Sequence, residues 1–150
     1  MTHLINVDDP PVLISSGELD RDQCLDLLAG GGYGRVVGTD CALPAVHPVG
    51  FVLDQQEVIF QARAGSALAA TVGNVVAFQA DEFNRETGTG WTVVGIGKAY
   101  QLNSGEAMLA IPLWRLTGRR LTRMPEEPTR IPGEIPGEIP GEVGPAVRAR

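Results

Sequence analysis

Between Tyr33 and Trp114 the chain is divided into short β-type runs, each closed by turn-forming residues, and this constrains the fold more than any other feature. YGRVVGT at 33–39, AVHPVGFVL at 45–53, EVIFQAR at 57–63, VVAFQAD at 75–81 and WTVVGIGKAYQL at 91–102 are rich in β-branched and aromatic residues. EAMLAIPLW at 106–114 is a sixth run, in which Pro112 marks an edge or a bulge. The connections Asp40–Pro44, Asp54–Glu57, the polar loop EFNRETGTG and Asn103–Gly105 are short and polar, as in a meander. Six short strands joined this tightly predict a mainly β chain whose sheet closes into a six-stranded barrel, because closure removes exposed sheet edges.

Two helices interrupt the pattern. In LDRDQCLDLLAGGG, Asp20 is an N-cap and Gln23 stands three residues on as in a capping box, while Leu19 and Cys24 can form the flanking hydrophobic staple. Cys24, Leu27 and Leu28 then share one face, and Gly30 to Gly32 end the helix. A second, alanine-rich helix is expected over residues 66–72, closed by Gly73-Asn74.

These elements define a domain over residues 19–124, preceded by an extended, proline-containing leader over 1–18. From Pro125 to Arg150 the character changes, with Ile-Pro-Gly-Glu repeated three times in tandem. Proline at every fourth position forbids a regular helix and glycine beside it leaves little apolar area, so the expectation is a disordered or polyproline-like tail. A chain of 150 residues supports one core. Its net charge of −6 and pI near 4.8 argue against nucleic acid or an anionic membrane as partners. No run approaches the roughly 18 apolar residues of a membrane span. Cys24 and Cys41 are too few for a disulfide framework or a zinc site, and the expected compartment is the reducing cytoplasm.

The stretch FQARAGSALAATVGN, Phe60 to Asn74, passes from a β pattern through a loop into the alanine-rich segment. Arg63 offers a planar fork to phosphate oxygens, Ser66 a hydroxyl, and Gly65 allows close backbone approach. On the residues alone, an anion site and a plain connector both remain open. His47 on a strand reads first as a hydrogen-bonded structural residue. Trp91 reads equally as core or as a cofactor wall. Arg119, Arg120 and Arg123 read first as a solvated cluster. No catalytic constellation and no metal-ligand spacing stands out.

Taken in order, GRVV, PAVHPVGFVL, VIFQARAGSALAA, VVAFQAD, GWTVVGIGKA and LTGRRL resemble the pyridoxamine 5'-phosphate oxidase-like family of flavin-binding split-barrel proteins over about residues 19–123. Among its branches the chain is similar to the nitroimidazole-resistance and deazaflavin-reductase type. The resemblance implies a six-stranded split barrel that forms a homodimer, with FMN at each end of the subunit interface. It implies that His47, Pro48 and Val49 run beside the flavin ring with the backbone facing it, that Arg63, Gly65 and Ser66 receive the phosphate, and that Trp91 lines the site from the partner. Two departures stand out: Ala67 occupies the position of a lysine in the family pattern, and the segment after Leu102 is short.

Two functions follow from the resemblance. One is a flavin-dependent oxidoreductase acting on a small organic acceptor, in which the cofactor carries the redox step. The other is a non-catalytic split-barrel dimer that binds a deazaflavin or haem instead.

Overall fold

The computed structural model describes residues 10–103 and 107–125. The expected tail, save Pro125, lies outside the described residues, and so do the first nine residues and the 104–106 turn.

Asp20 starts the single α-helix among the described residues, α1 (Arg21–Leu28). Its side chain accepts from the Gln23 amide at 2.8 Å, and the Gln23 side chain accepts from the Asp20 amide at 2.9 Å, so the capping box is complete. Cys24 and Leu28 are fully buried, and Gly31, at φ +67, closes the helix with a bond to the Leu28 carbonyl. The Arg21 guanidinium donates to Gln56 Oε1 at 2.8 Å and to the Leu113 carbonyl at 2.7 Å, which fastens α1 across two distant turns.

The rest is one antiparallel sheet: β1 (Leu13–Leu19), β2 (Gly32–Asp40), β3 (Leu43–Asp54), β4 (Glu57–Gln61), β5 (Val75–Asn84), β6 (Thr89–Lys98), β7 (Tyr100–Gln101), β8 (Met108–Pro112) and β9 (Arg115–Arg123). The spatial order is β1-β9-β6-β5-β2-β3-β4-β8-β7. β8 and β9 are joined only by the corner Leu113-Trp114; the first pairs with β4 and the second with β6. Counted as one bent strand, they close β6, β5, β2, β3 and β4 into a ring of six, the split barrel. At the corner, a Cβ on Gly97 would lie 1.8 Å from the Pro112 carbonyl oxygen, so only glycine lets β6 come so close.

The described strands number nine where the sequence suggested six. β1 forms within the extended leader, and β9 forms from the LTGRRLTR stretch read as a solvated cluster. Arg123 there donates to the Arg85 carbonyl at 2.6 Å, tying β9 to the β5–β6 hairpin. β7 is split from β6 at Ala99, which is buried and bonds back to Asn74.

The helix expected over 66–72 is corrected to one 3-10 turn, Ala69–Thr71. Seven residues form too few intrahelical bonds to offset nucleation. Local bonds take over: Ser66 Oγ accepts from the Ala69 amide at 3.1 Å, and the Thr71 hydroxyl donates to the Leu68 carbonyl at 2.6 Å.

Inside the barrel, Phe51 and Phe78 meet edge to face with ring centroids 4.7 Å apart, among Val36, Val49, Val58, Phe60, Val93 and Ile111. No helix among the described residues is long and apolar enough to cross a membrane.

Candidate functional site

Strand alternation decides which candidate residues face outward. Along β3 the buried or half-buried side chains are Ala45, His47, Val49 and Phe51, while Val46, Pro48, Gly50 and Val52 are exposed. His47 therefore points to the barrel side and its side chain makes no hydrogen bond among the described residues. Val49 belongs to the core, so only its backbone can meet a ligand. Pro48 is outward and stands opposite Arg35 of β2. Trp91 shares the inward face of β6 with Val93 and packs against the core; Thr92 and Val94 are its outward neighbours.

β3 also leaves backbone open. It pairs with β2 from Leu43 to Phe51, but with β4 only from Phe51 to Asp54, so the edge of residues 43–50 away from β2 carries no ladder. β4 turns off at Gln61, and residues 63–68 follow it. Arg63 is exposed, and its guanidinium makes no hydrogen bond or ion pair among the described residues. Gly65 sits at φ +78 with no atom within 4 Å of a would-be Cβ, so conformation and not crowding requires glycine there. The Ser66 amide bonds to the Arg63 carbonyl at 3.0 Å and the Ala70 amide to the Ser66 carbonyl at 3.1 Å. The amides of Gly65, Ala67 and Leu68 find no acceptor among the described residues. One turn thus gathers a guanidinium, a hydroxyl whose proton is uncommitted, and three unpaired N–H groups. That donor set suits a phosphate, and it does so without a regular helix behind it. Beside it lies a depression of about 670 Å³ lined by Gln61, Ala62, Arg63, Ala64, Ala107 and Met108.

A second cleft, of about 630 Å³, opens on the outward face of β5, β6, β9 and β1. Its floor is one cross-strand rung: Asp81 on β5, Thr92 on β6, Arg119 on β9 and Glu18 on β1. The Arg35 guanidinium pairs with Asp81 at 3.5 Å, and the Gln79 side-chain amide donates to Thr92 Oγ1 at 3.2 Å. Both clefts fall in the size range of small-ligand sites. Between the polar rung and the end of the sheet runs an apolar one, Val46, Val37, Ala77 and Ile96, across β3, β2, β5 and β6.

The polar rung was missed in the sequence because its members sit on four strands. Its signal is the period of two in VVAFQAD, which sets Gln79 and Asp81 on one face, and in LTGRRLTR, which sets Thr117 and Arg119 outward once read as a strand. Among the described residues no group of three or more His, Cys, Asp or Glu side chains gathers to hold a metal ion. In the core, burial pushes the Cys24 thiol up, the Asp20 carboxylate adds to this, and Arg21 opposes it.

Known proteins share this fold. A family model described as pyridoxamine 5'-phosphate oxidase matches residues 20–113. The protein Rv0080 of Mycobacterium tuberculosis is 39% identical over 95 residues, covering 59% of this chain and 62% of that protein, so the chain spans less than two thirds of this relative's length. Among solved structures, the FAD binding protein from Mycobacterium smegmatis superposes with a TM-score of 0.63 at 27% identity, covering 73% of this chain and 98% of that one. An FAD-binding protein from Mesorhizobium loti gives a TM-score of 0.64 at 15% identity, covering 75% and 99%, a likeness of fold.

Proposed function

The chain belongs to the pyridoxamine 5'-phosphate oxidase family, and we propose that it works as a homodimeric flavin-binding split barrel, a flavin-dependent oxidoreductase for a small organic acceptor in the cytoplasm. The observation that carries this reading is the turn 63–68, with its guanidinium, free hydroxyl proton and unpaired amides, which follows β4 just past the end of its ladder with β3. Arg63 and Ser66 hold the flavin phosphate, and the unpaired amides of Gly65, Ala67 and Leu68 complete the cradle. The backbone of His47, Pro48 and Val49 supplies donors and acceptors to the ring edge. A bound flavin would supply hydride and single-electron chemistry for a reduced nicotinamide donor and an acceptor such as a quinone or nitro compound. FMN is the first reading. FAD, named for the 27% identical Mycobacterium smegmatis protein, is the comparator.

Homodimerisation is supported by the outward apolar rung together with exposed Tyr33 (88%), Val75 (61%) and Val46 (57%). Apolar side chains left in water on one sheet face favour association, and a two-fold axis would bury them against their own copy.

The test is the visible spectrum of the purified protein, followed by titration with FMN, FAD, a deazaflavin and haemin. Saturable flavin binding that Arg63→Ala weakens by about tenfold or more supports the reading. Wild-type binding that Arg63→Ala leaves untouched moves the phosphate elsewhere. A protein that takes only deazaflavin or haemin supports the alternative ligand instead. Ala67→Lys should tighten flavin binding if Ala67 stands where the family's lysine does.

A further inference from the structure

We infer that the turn 63–68 selects a flavin whose phosphate carries one negative charge, a phosphodiester in preference to the monoester FMN. The inference rests on the flavin reading above and names the chemical class of cofactor that the same turn takes. It places FAD, or another flavin esterified beyond its phosphate, ahead of the FMN that the family resemblance put first.

The charge of the turn can be counted along the chain. Over residues 57–74 and 103–112, which span β4, the turn and the segment that runs through β8, Arg63 is the only basic residue. Ala67, exposed in the middle of the turn, adds no charge. The other donors are neutral: the Ser66 hydroxyl and the amides of Gly65, Ala67 and Leu68. A phosphate monoester carries about −1.5 to −2 near pH 7, with a second pKa of about 6, whereas a diester keeps a single charge. Desolvating an anion costs in proportion to the square of its charge, but its attraction to a fixed set of donors grows only in proportion to the charge. With one cation present, the second charge of a monoester adds more cost than attraction. The single charge of a diester is matched by Arg63.

The space beside the turn suits the same class. A diester continues past its phosphorus, and the depression of about 670 Å³ opens next to Arg63. Its lining is otherwise uncharged: small at Ala62, Ala64 and Ala107, amide-bearing at Gln61 and polarisable at Met108, which fits a neutral heterocycle such as a nucleobase.

The experiment titrates the full-length protein with riboflavin, FMN, the monomethyl ester of FMN and FAD, followed by flavin fluorescence, at about pH 7.5 and about pH 5.5. At the higher pH the methyl ester is expected to bind more tightly than FMN by about fivefold or more, and more tightly than riboflavin. FAD is expected to bind at least as tightly as the ester, and weaker FAD binding would overturn the place given to FAD. Lowering the pH is expected to tighten FMN by up to about twentyfold, the rise in its monoanion for a pKa near 6, and to leave the ester unchanged. On the surrounding elements the titratable carboxyls and imidazole are His47 and Asp54 of β3, Glu57 of β4 and Glu106, which precedes Ala107. The ester has no proton to exchange in this range, so it reports any effect of theirs. Ala67→Lys supplies a second cation and should remove the preference for the ester and the gain of FMN at low pH. If wild type binds FMN more tightly than its ester and loses FMN as the pH falls, a further cation meets the phosphate; the inference is then overturned while the flavin reading stands. Equal affinities for ester and FMN with no pH trend overturn it as well. If none of these flavins binds, both fall together.

Discussion

At the scale of single residues, the chain's tolerances follow from what each atom would meet. A Cβ on Gly97 would stand 1.8 Å from a backbone oxygen of β8 that cannot rotate away. Gly97→Ala should therefore cost several kcal/mol in denaturant unfolding, about 3 or more, by forcing β6 off the corner. Gly65→Ala meets only open space, and its cost should stay near the ~1 kcal/mol of a left-handed residue. The two thiols separate in the same way. Cys41 is exposed in a hairpin turn and Cys24 is fully buried against Gly118, so a thiol reagent should label Cys41 in the native protein and Cys24 only on unfolding. Because burial raises the Cys24 thiol above its ordinary value of 9.0, the native state favours the protonated form. Its contribution to stability is fully present below the unfolded value and is lost as pH rises through the raised folded value. Denaturation midpoints should thus hold below pH 9 and fall above it.

At the scale of elements, two hairpin turns carry conformations their residues do not favour. Cys41 and Ala42 sit at φ +51 and +65, and Gln55 and Gln56 at +47 and +65, the left-handed pairs of tight two-residue hairpins. Gln56 has a second task, accepting from Arg21, so its side chain is needed where it is. Ala42 has none. Ala42→Gly is expected to raise stability by about 1 kcal/mol, seen as a melting point higher by several degrees. A fall would mean that glycine's gain in unfolded-state entropy outweighs the strain it relieves.

At the scale of the whole molecule, the barrel closes because one bent strand serves two neighbours, β4 before the corner and β6 after it. Closure turns alternate side chains of every strand outward, and there the apolar rung Val46, Val37, Ala77 and Ile96 shares a face with the polar rung of Asp81, Thr92, Arg119 and Glu18, the row of Arg35, Gln79, Val94 and Thr117 lying between them. Under the proposed dimer the first rung is buried. Val46→Asp should then halve the mass measured by light scattering at micromolar concentration, because a buried unpaired carboxylate is costly. A Val46→Asp protein that keeps a dimer's mass would put the interface on another face.

The α1 boundaries, the core strands and the turn at Arg63-Gly65-Ser66 were legible in the sequence, because capping, period-two alternation and left-handed glycine are local properties written in adjacent residues. Asp20 and Gln23 find each other three residues apart, and no tertiary contact is needed to say so. β1 and β9 were not legible as strands. Ser15 to Leu19 and Arg119 to Arg123 have little apolar pattern of their own and become strands by pairing with each other and with β6. The alanine-rich segment had the propensity of a helix but not the length, and side-chain bonds from Ser66 and Thr71 settled it as one turn. The direction of Trp91 and His47, and the meeting of Glu18, Asp81, Thr92 and Arg119, belong to the tertiary structure alone. A residue's face depends on strand register, and register is fixed by partners that lie tens of residues away.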